Sequence, residues 1–559
     1  MSEEFDFEEL APWLALLLTL VGGLLRILFL AKQGLWLDET FSVWLANQSL
    51  PDMLHWIVTI DKHPPLYYLL LHAWIPNAED IPYHARLLSV LFGTGTIPVI
   101  YLTGKRLSGT LMGLVAATFL AFSPFNIYFA QEARMYTLLA FNAALAIYAL
   151  VRLLTDERSR MPIGSQFRGY LHAWRTAGPA EPDPAEGFRY KIEPPKRGLR
   201  AWIYRHRWSP IRTIETDLAW VALIVFSTAT LYTHNAAIFF LIATNLFVFS
   251  LLLIQKRHNA AAQPAFQAPS LASWIKAQLS ILILWSPWIV VFIRQAGRVD
   301  QAFWIPKPTW DIIYQTFRSL LNTSAPNASS PPIMMWILCA VLCLGLVYYR
   351  KKLSRFFFLA ALFAVPFLGE LLVSLRRPVF LDRTLIWITV PLVLLLAAGI
   401  LQLRFRLLMV IVVGVIATNY LFTTTDYYRW YQKENWDTAA SFVGYFAEKD
   451  DLILFNSNFV VIPFDYYFKT YADYYSLQVE KRGVPLDLFQ DASMEPKMTP
   501  DDVPGLIALI SGHDRVWLVY SHNSYTDPMG LIPQTLASQM HLSRERQFYG
   551  GIVQLYVNP

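Results

Sequence analysis

The sequence predicts an α-helical polytopic membrane protein with a soluble α/β domain at its C-terminal end. Three observations carry this expectation. The 559 residues are 55% hydrophobic and only 16% charged, where soluble domains carry about 25% charged residues; mean hydropathy is +0.36. Apolar windows of about 19 residues, long enough to cross hydrocarbon, recur about eleven times between residues 11 and 424. From residue 425 onward the pattern changes to strand-length apolar runs between helical ones.

The spans are expected near 11–31, 83–104, 108–125, 133–154, 217–234, 236–254, 273–293, 332–349, 355–374, 384–401 and 406–424. The first follows an acidic start, Met1 to Asp6, and is too long for the core of a cleaved signal, so it reads as a permanent span. Basic clusters follow every second span. They are Lys105-Arg106, the arginines of the loop 155–215, Lys256-Arg257, Arg350-Lys351-Lys352, and Arg404 with Arg406. Threaded in order, all of them fall on one side, which the positive-inside rule makes cytoplasmic. The net charge of +5 belongs to these loops and gives no reason to expect a nucleic-acid partner. Cys339 and Cys343 lie inside an apolar segment and read as small core residues. The loop 155–215 is rich in Pro, Gly and Arg and is expected to be extended or disordered; 259–270 reads as a short linker.

The chain thus divides into a membrane domain, 1–424, and an α/β domain, 425–559, on the extracytoplasmic side. In the second, a helix is expected from Glu434 to about Ala447 and another over 501–511. Strands are expected at Asp451–Asn456 and Arg515–Tyr520, with a closing hairpin around Gly550-Gly551. There is no GxGxxG and no phosphate loop, which disfavours a nucleotide-sugar donor.

The uncommon polar groups gather on the extracytoplasmic side. Asp38-Glu39 follows the first span directly. A carboxylate inside hydrocarbon costs about 3 kcal/mol, so the boundary is where acid/base chemistry fits. The structural alternative is that Asp38 caps the next helix with Glu39 in its first turn. An amphipathic, Trp-rich stretch over 41–60 suits the interface. His63-Pro64-Pro65 then presents His63 before a helix carrying Tyr67, a place that favours anions. Glu132, Arg134 and Tyr136 stand at the mouth of the fourth span, and Arg376, Arg377, Asp382 and Arg383 before the tenth. Arginine can hold a phosphate bidentately or merely snorkel to headgroups. Arginines outside run against the positive-inside tendency, which favours the phosphate role. His234 ends the fifth span; with His63 and Asp38 it is a weak candidate metal set.

These motifs, in this order, resemble the GT-C membrane glycosyltransferases. The likeness is to the dolichyl-phosphate-mannose–protein mannosyltransferase and aminoarabinose transferase superfamily, in particular bacterial family 39 glycosyltransferases. The matching residues are Leu37-Asp38-Glu39, His63-Pro64-Pro65-Leu66-Tyr67-Tyr68, Gln131-Glu132-Ala133-Arg134-Met135-Tyr136, and Arg377-Pro378-Val379-Phe380 through Arg383 to Pro391.

The resemblance implies a polyprenyl-phosphate-linked sugar donor and an inverting transfer outside the cell membrane. The acceptor would be a hydroxyl on a lipid, glycan or protein. Asp38 would be general base and Glu39 its neighbour, each raising the other's pKa. Arg134 and Arg383 would hold the phosphate, with His63, Tyr67, Glu132, Tyr136 and Arg377 lining the substrate. His63 stands where some relatives have a Lys, and a His is cationic only part of the time. Some relatives use a divalent metal and others none, which leaves the cofactor open. A transporter or lipid flippase is the competing reading, and a membrane scaffold a third. Neither sugar nor acceptor is legible.

Overall fold

A computed structural model describes residues 7–61, 63–76, 80–156, 159, 168, 210–257, 265–298, 305–490 and 495–558. The loop expected over 155–215 lies almost entirely outside them, as does the first half of the linker 259–270. Among the described residues, nine helices are long and apolar enough to cross a membrane. A tenth span is the bent pair Thr110–Ala121 and Pro124–Ala130, with 58° between its halves, and a shorter apolar helix covers Thr216–Leu231. Every expected span coincides with one of these helices. The chain is a multi-pass membrane protein with a small sheet domain at its C-terminal end.

The first turns of the chain position the site. Helix α1, Phe7–Ile27, stops four residues before the apolar run does. The chain from Leu28 to Gly34 instead wraps around Arg86, whose guanidinium takes the carbonyls of Leu30, Gln33 and Gly34 at 2.7–2.8 Å. Those carbonyls would otherwise leave the helix unpaired, and buried backbone groups need partners. The amphipathic stretch forms two helices, α2, Leu37–Ala46, and α3, Leu50–Thr59. Ser49 separates them: its Oγ caps α3 by accepting from the Asp52 N–H, and Pro51 occupies the first turn. After Pro64-Pro65 comes α4, Leu66–Trp74. The second span is α5, Ile81–Ser108, and the bent pair is α6, Thr110–Ala121, and α7, Pro124–Ala130. Ser123 caps α7, and Gln131 to Met135 form a tight elbow before α8, Tyr136–Leu154. The span beginning at Asp382 opens as a 3-10 helix, Asp382–Ile388, packed on α8. It continues as Thr389–Leu401 and is almost wholly buried among its neighbours.

The last span, Arg406–Trp430, leads into the sheet domain. Its strands are β1, Leu452–Asn456; β2, Glu480–Gly483; β3, Arg515–Tyr520; β4, His541–Phe548; and β5, Gly551–Val557. They run in the order β2-β1-β3-β5-β4. β1 is parallel to β2 and β3, and β5 is antiparallel to β3 and β4. Alternate residues face opposite sides, as strand geometry requires. Leu452, Leu454, Val516 and Leu518 pack on helices Val503–Ile510 and Leu531–Gln539. Ile453, Phe455, Trp517 and Val519 belong to a core continuous with that of the membrane domain. The join runs through helix Val461–Tyr475, which packs on α2. There the Tyr467 hydroxyl bridges the N–H and carbonyl of Leu35. It fits only because residue 34 is glycine: a Cβ there would lie 2.6 Å from the hydroxyl oxygen.

Candidate active site

Asp38 sits in the first turn of α2 but does not cap it. Its Oδ2 pairs with Arg383 Nη1 at 3.2 Å, and both side chains keep about a quarter of their surface open, 24% and 21%. Arg134 is nearly buried beneath them. Its Nη1 donates to the Asp38 carbonyl and the Ser42 Oγ, each at 3.2 Å, and lies 3.5 Å from the Tyr68 hydroxyl. Arg134 Nε is buried with no hydrogen-bond partner among the described residues. The Arg383 guanidinium lies over the Tyr136 ring, 5.8 Å from its centroid. Span ends far apart in sequence thus place two guanidiniums beside one carboxylate.

Burial alone would raise the Asp38 carboxyl. Arg134, Arg383 and His63 outweigh it and hold the group below its ordinary range. Asp61 stands nearby and accepts from His63 Nδ1 at 2.9 Å and from the Tyr68 hydroxyl. The rings of His63 and His234 are 5.4 Å apart. Burial, with His63, Arg383 and Arg134 close by, pushes His234 well down, so it stays neutral. Its Nδ1 accepts from the Ala236 N–H, which puts its proton on Nε2. Among the described residues no three His, Cys, Asp or Glu side chains are grouped to hold a metal ion.

Glu39 faces other partners. It is fully buried, accepts from Arg86 Nε at 2.8 Å and Nη2 at 2.6 Å, from the Ala133 N–H at 2.9 Å, and pairs with Lys433 at 3.1 Å. Lys433 also reaches Glu132, at 3.2 Å. Two cations and two carboxylates close the cluster. Burial favours the neutral acid, yet Arg86 and Lys433 bring Glu39 down to about 2. Glu132 goes up, through burial and the nearby charges of Glu39 and Asp38. The expectation that Asp38 and Glu39 raise each other's pKa therefore fails. Each points to its own cations, and both carboxyls are lowered.

Two solved structures share this architecture. ArnT from Cupriavidus metallidurans, in the apo state, is 12% identical with a TM-score of 0.57, over 97% of each chain. The archaeal oligosaccharyltransferase AglB from Archaeoglobus fulgidus, in complex with an inhibitory peptide and a dolichol-phosphate, is 10% identical with a TM-score of 0.53. That match covers 100% of this chain and 75% of AglB. This is the fold of the GT-C membrane glycosyltransferases. ArnT bound to undecaprenyl phosphate matches this chain as well, at 11% identity and a TM-score of 0.52 over 97% of each chain. A family model described as dolichyl-phosphate-mannose-protein mannosyltransferase matches residues 62–166, which include His63, Arg86, Glu132, Arg134 and Tyr136. No curated protein matches the sequence significantly.

Of the residues singled out from sequence, the GT-C fold brings Asp38, His63, Arg134, Tyr136, His234 and Arg383 together. Tyr67 is buried, its hydroxyl 3.3 Å from Ser89 Oγ, and joins α4 to α5. Glu132 belongs to the Glu39 cluster. Arg377 is exposed and donates to the Ala296 carbonyl at the end of another span. Sequence reasoning missed Arg86, Lys433 and Asp61, and gave Tyr68 no role beyond its place in the His63–Tyr68 motif. Arg86 and Lys433 each carried a signal: a cation within a turn or so of a span end, on the side where Lys and Arg are uncommon.

Proposed function

We propose that this chain transfers a sugar from a polyprenyl-phosphate-linked donor to a hydroxyl on a lipid, glycan or protein at the extracytoplasmic face of the cell membrane. The observation that carries the reading is the solvent-reaching Asp38–Arg383 pair set over Arg134. The undecaprenyl phosphate and dolichol-phosphate bound by ArnT and AglB support the lipid-phosphate donor.

The donor phosphate sits between Arg383 and Arg134, whose Nε has a donor to spare. Its negative charge offsets the field that keeps Asp38 acidic and draws Arg383 off the carboxylate. Asp38 then becomes a stronger base at the moment the donor is in place. The acceptor hydroxyl gives its proton to Asp38 as its oxygen forms the new bond to the anomeric carbon. The bond from that carbon to the phosphate oxygen breaks, and the lipid phosphate leaves with the electron pair. Fixed guanidiniums stabilise that charge without reorganising. His63 and Tyr136 line the same space. Attack from the side opposite the leaving phosphate inverts the anomeric configuration.

The test is Asp38→Asn in protein reconstituted with a polyprenyl-phosphate sugar. Transfer should fall by at least about a hundredfold, the lower range for loss of a general base, with donor binding retained. Full transfer by the variant would overturn the base assignment. Uptake of substrate into vesicles without transfer would favour a transporter.

A further inference from the structure

The opposite end of the membrane domain holds a second cationic site. A cavity of about 650 Å³ opens where α5, α8 and the helix Leu353–Ser374 end on the Lys/Arg-rich side. Lys105, Arg106 and Arg355 line it. Lys105 pairs with Glu8 at 3.1 Å. Arg106 donates through Nε to Thr155 Oγ1 at 2.8 Å, and Arg355 lies over the Phe266 ring at 5.8 Å. Neither guanidinium meets a carboxylate among the described residues, and the Nε of Arg355 is buried with no hydrogen-bond partner there. Leu102 and Leu154 form an apolar wall, and Leu102 keeps 42% of its surface open on the face of its span.

Two guanidiniums, one exposed and one half-buried, with no carboxylate partner among the described residues, are complementary to a phosphate, which each can hold bidentately. Surface arginines usually snorkel to whichever headgroup is near. A concave site with cations from two different spans asks for more, because it fixes where the anion sits. The apolar wall beside the cations suits a phosphate that carries acyl chains, and basic pockets between spans at this depth take anionic headgroups. We propose that this cavity binds the phosphate group of an anionic phospholipid. The site is independent of the sugar-transfer reading, since its cations lie at the other end of α5 and α8 from Asp38.

The test is native mass spectrometry of the full-length protein in neutral detergent. Phosphatidylglycerol, phosphatidylcholine or inorganic phosphate is added in separate arms. One phosphatidylglycerol should stay bound, about tenfold more often than phosphatidylcholine, and Arg106→Gln with Arg355→Gln should remove that preference. Inorganic phosphate at equal concentration should not compete. Equal retention of the two lipids by the unmodified protein overturns the proposal without recourse to the variant. So does displacement of phosphatidylglycerol by inorganic phosphate, which would make the site one for a free ion. Unchanged preference in a double variant that elutes as a single species overturns it too.

Discussion

Asp38 and Glu39 are neighbours in sequence with opposite surroundings. Asp38 keeps contact with solvent and, among the described residues, pairs with Arg383. Glu39 is sealed among Arg86, Lys433 and the Ala133 N–H, joining α2 to α5, the elbow before α8 and the chain after the last span. Removing one partner of a buried pair leaves an uncompensated charge and costs about 3–5 kcal/mol. Glu39→Gln should therefore lower stability by about that amount, read as early thermal unfolding in detergent, whereas Asp38→Asn should leave the melting temperature near that of the unmodified protein. Equal melting of both variants would show that Glu39 is not the clamp. Both side chains were legible as important because carboxylates are costly inside hydrocarbon and these two stand directly at its boundary. Their division of labour was not, because it depends on Arg86, Lys433 and Arg383, which lie 47, 394 and 345 positions away from the carboxylate each serves.

At the scale of elements, the spans were legible because hydrocarbon demands about 20 apolar residues. The strands β1 and β3 were legible because both are apolar runs between polar segments. β2 escaped notice: Glu480-Lys481-Arg482-Gly483 is an edge strand, and edges carry charge that hides the strand pattern and blocks further pairing. The cap of α2 was likewise hidden. Glu434, nearly 400 residues on, accepts from the Leu37 N–H at 3.3 Å and from Trp436 Nε1 at 2.9 Å. It is an anion at a helix N-terminus, where the exposed N–H groups favour one. Losing a cap costs about 1 kcal/mol. Glu434→Ala should loosen the turn that carries Asp38 and lower kcat by about fivefold, the rate equivalent of that energy. KM for the donor should change less than kcat, because Arg134 and Arg383 touch α2 but are carried by the elbow before α8 and by the 3-10 helix Asp382–Ile388. A change confined to KM would contradict this.

A further contact between the membrane and sheet domains runs through the same glutamate, which sits in the sheet domain and accepts from the Leu37 N–H. His522 of the sheet domain lies between Glu434 Oε1, at 3.2 Å from its Nε2, and Glu495 Oε1, at 2.7 Å from its Nδ1. Burial would lower the histidine, but the two carboxylates outweigh it and raise it to about 10. A raised folded-state pKa means that the folded sheet domain, with Glu434 and Glu495 beside the ring, prefers the charged form. Its contribution is complete below the unfolded value of about 6.5 and is lost as pH climbs toward 10. The His522 cluster is therefore most stable in neutral and mildly acidic conditions, and the other oxygen of Glu434 holds the α2 turn against it. Thermal unfolding followed from pH 6 to pH 10 should show a falling melting temperature, and His522→Asn should start lower at pH 6 and lose this part of the decline. Parallel decline in both proteins would mean that the histidine takes no part in docking. A flatter profile in the variant, together with a reduced kcat at pH 6, would show that the membrane and sheet domains communicate through Glu434.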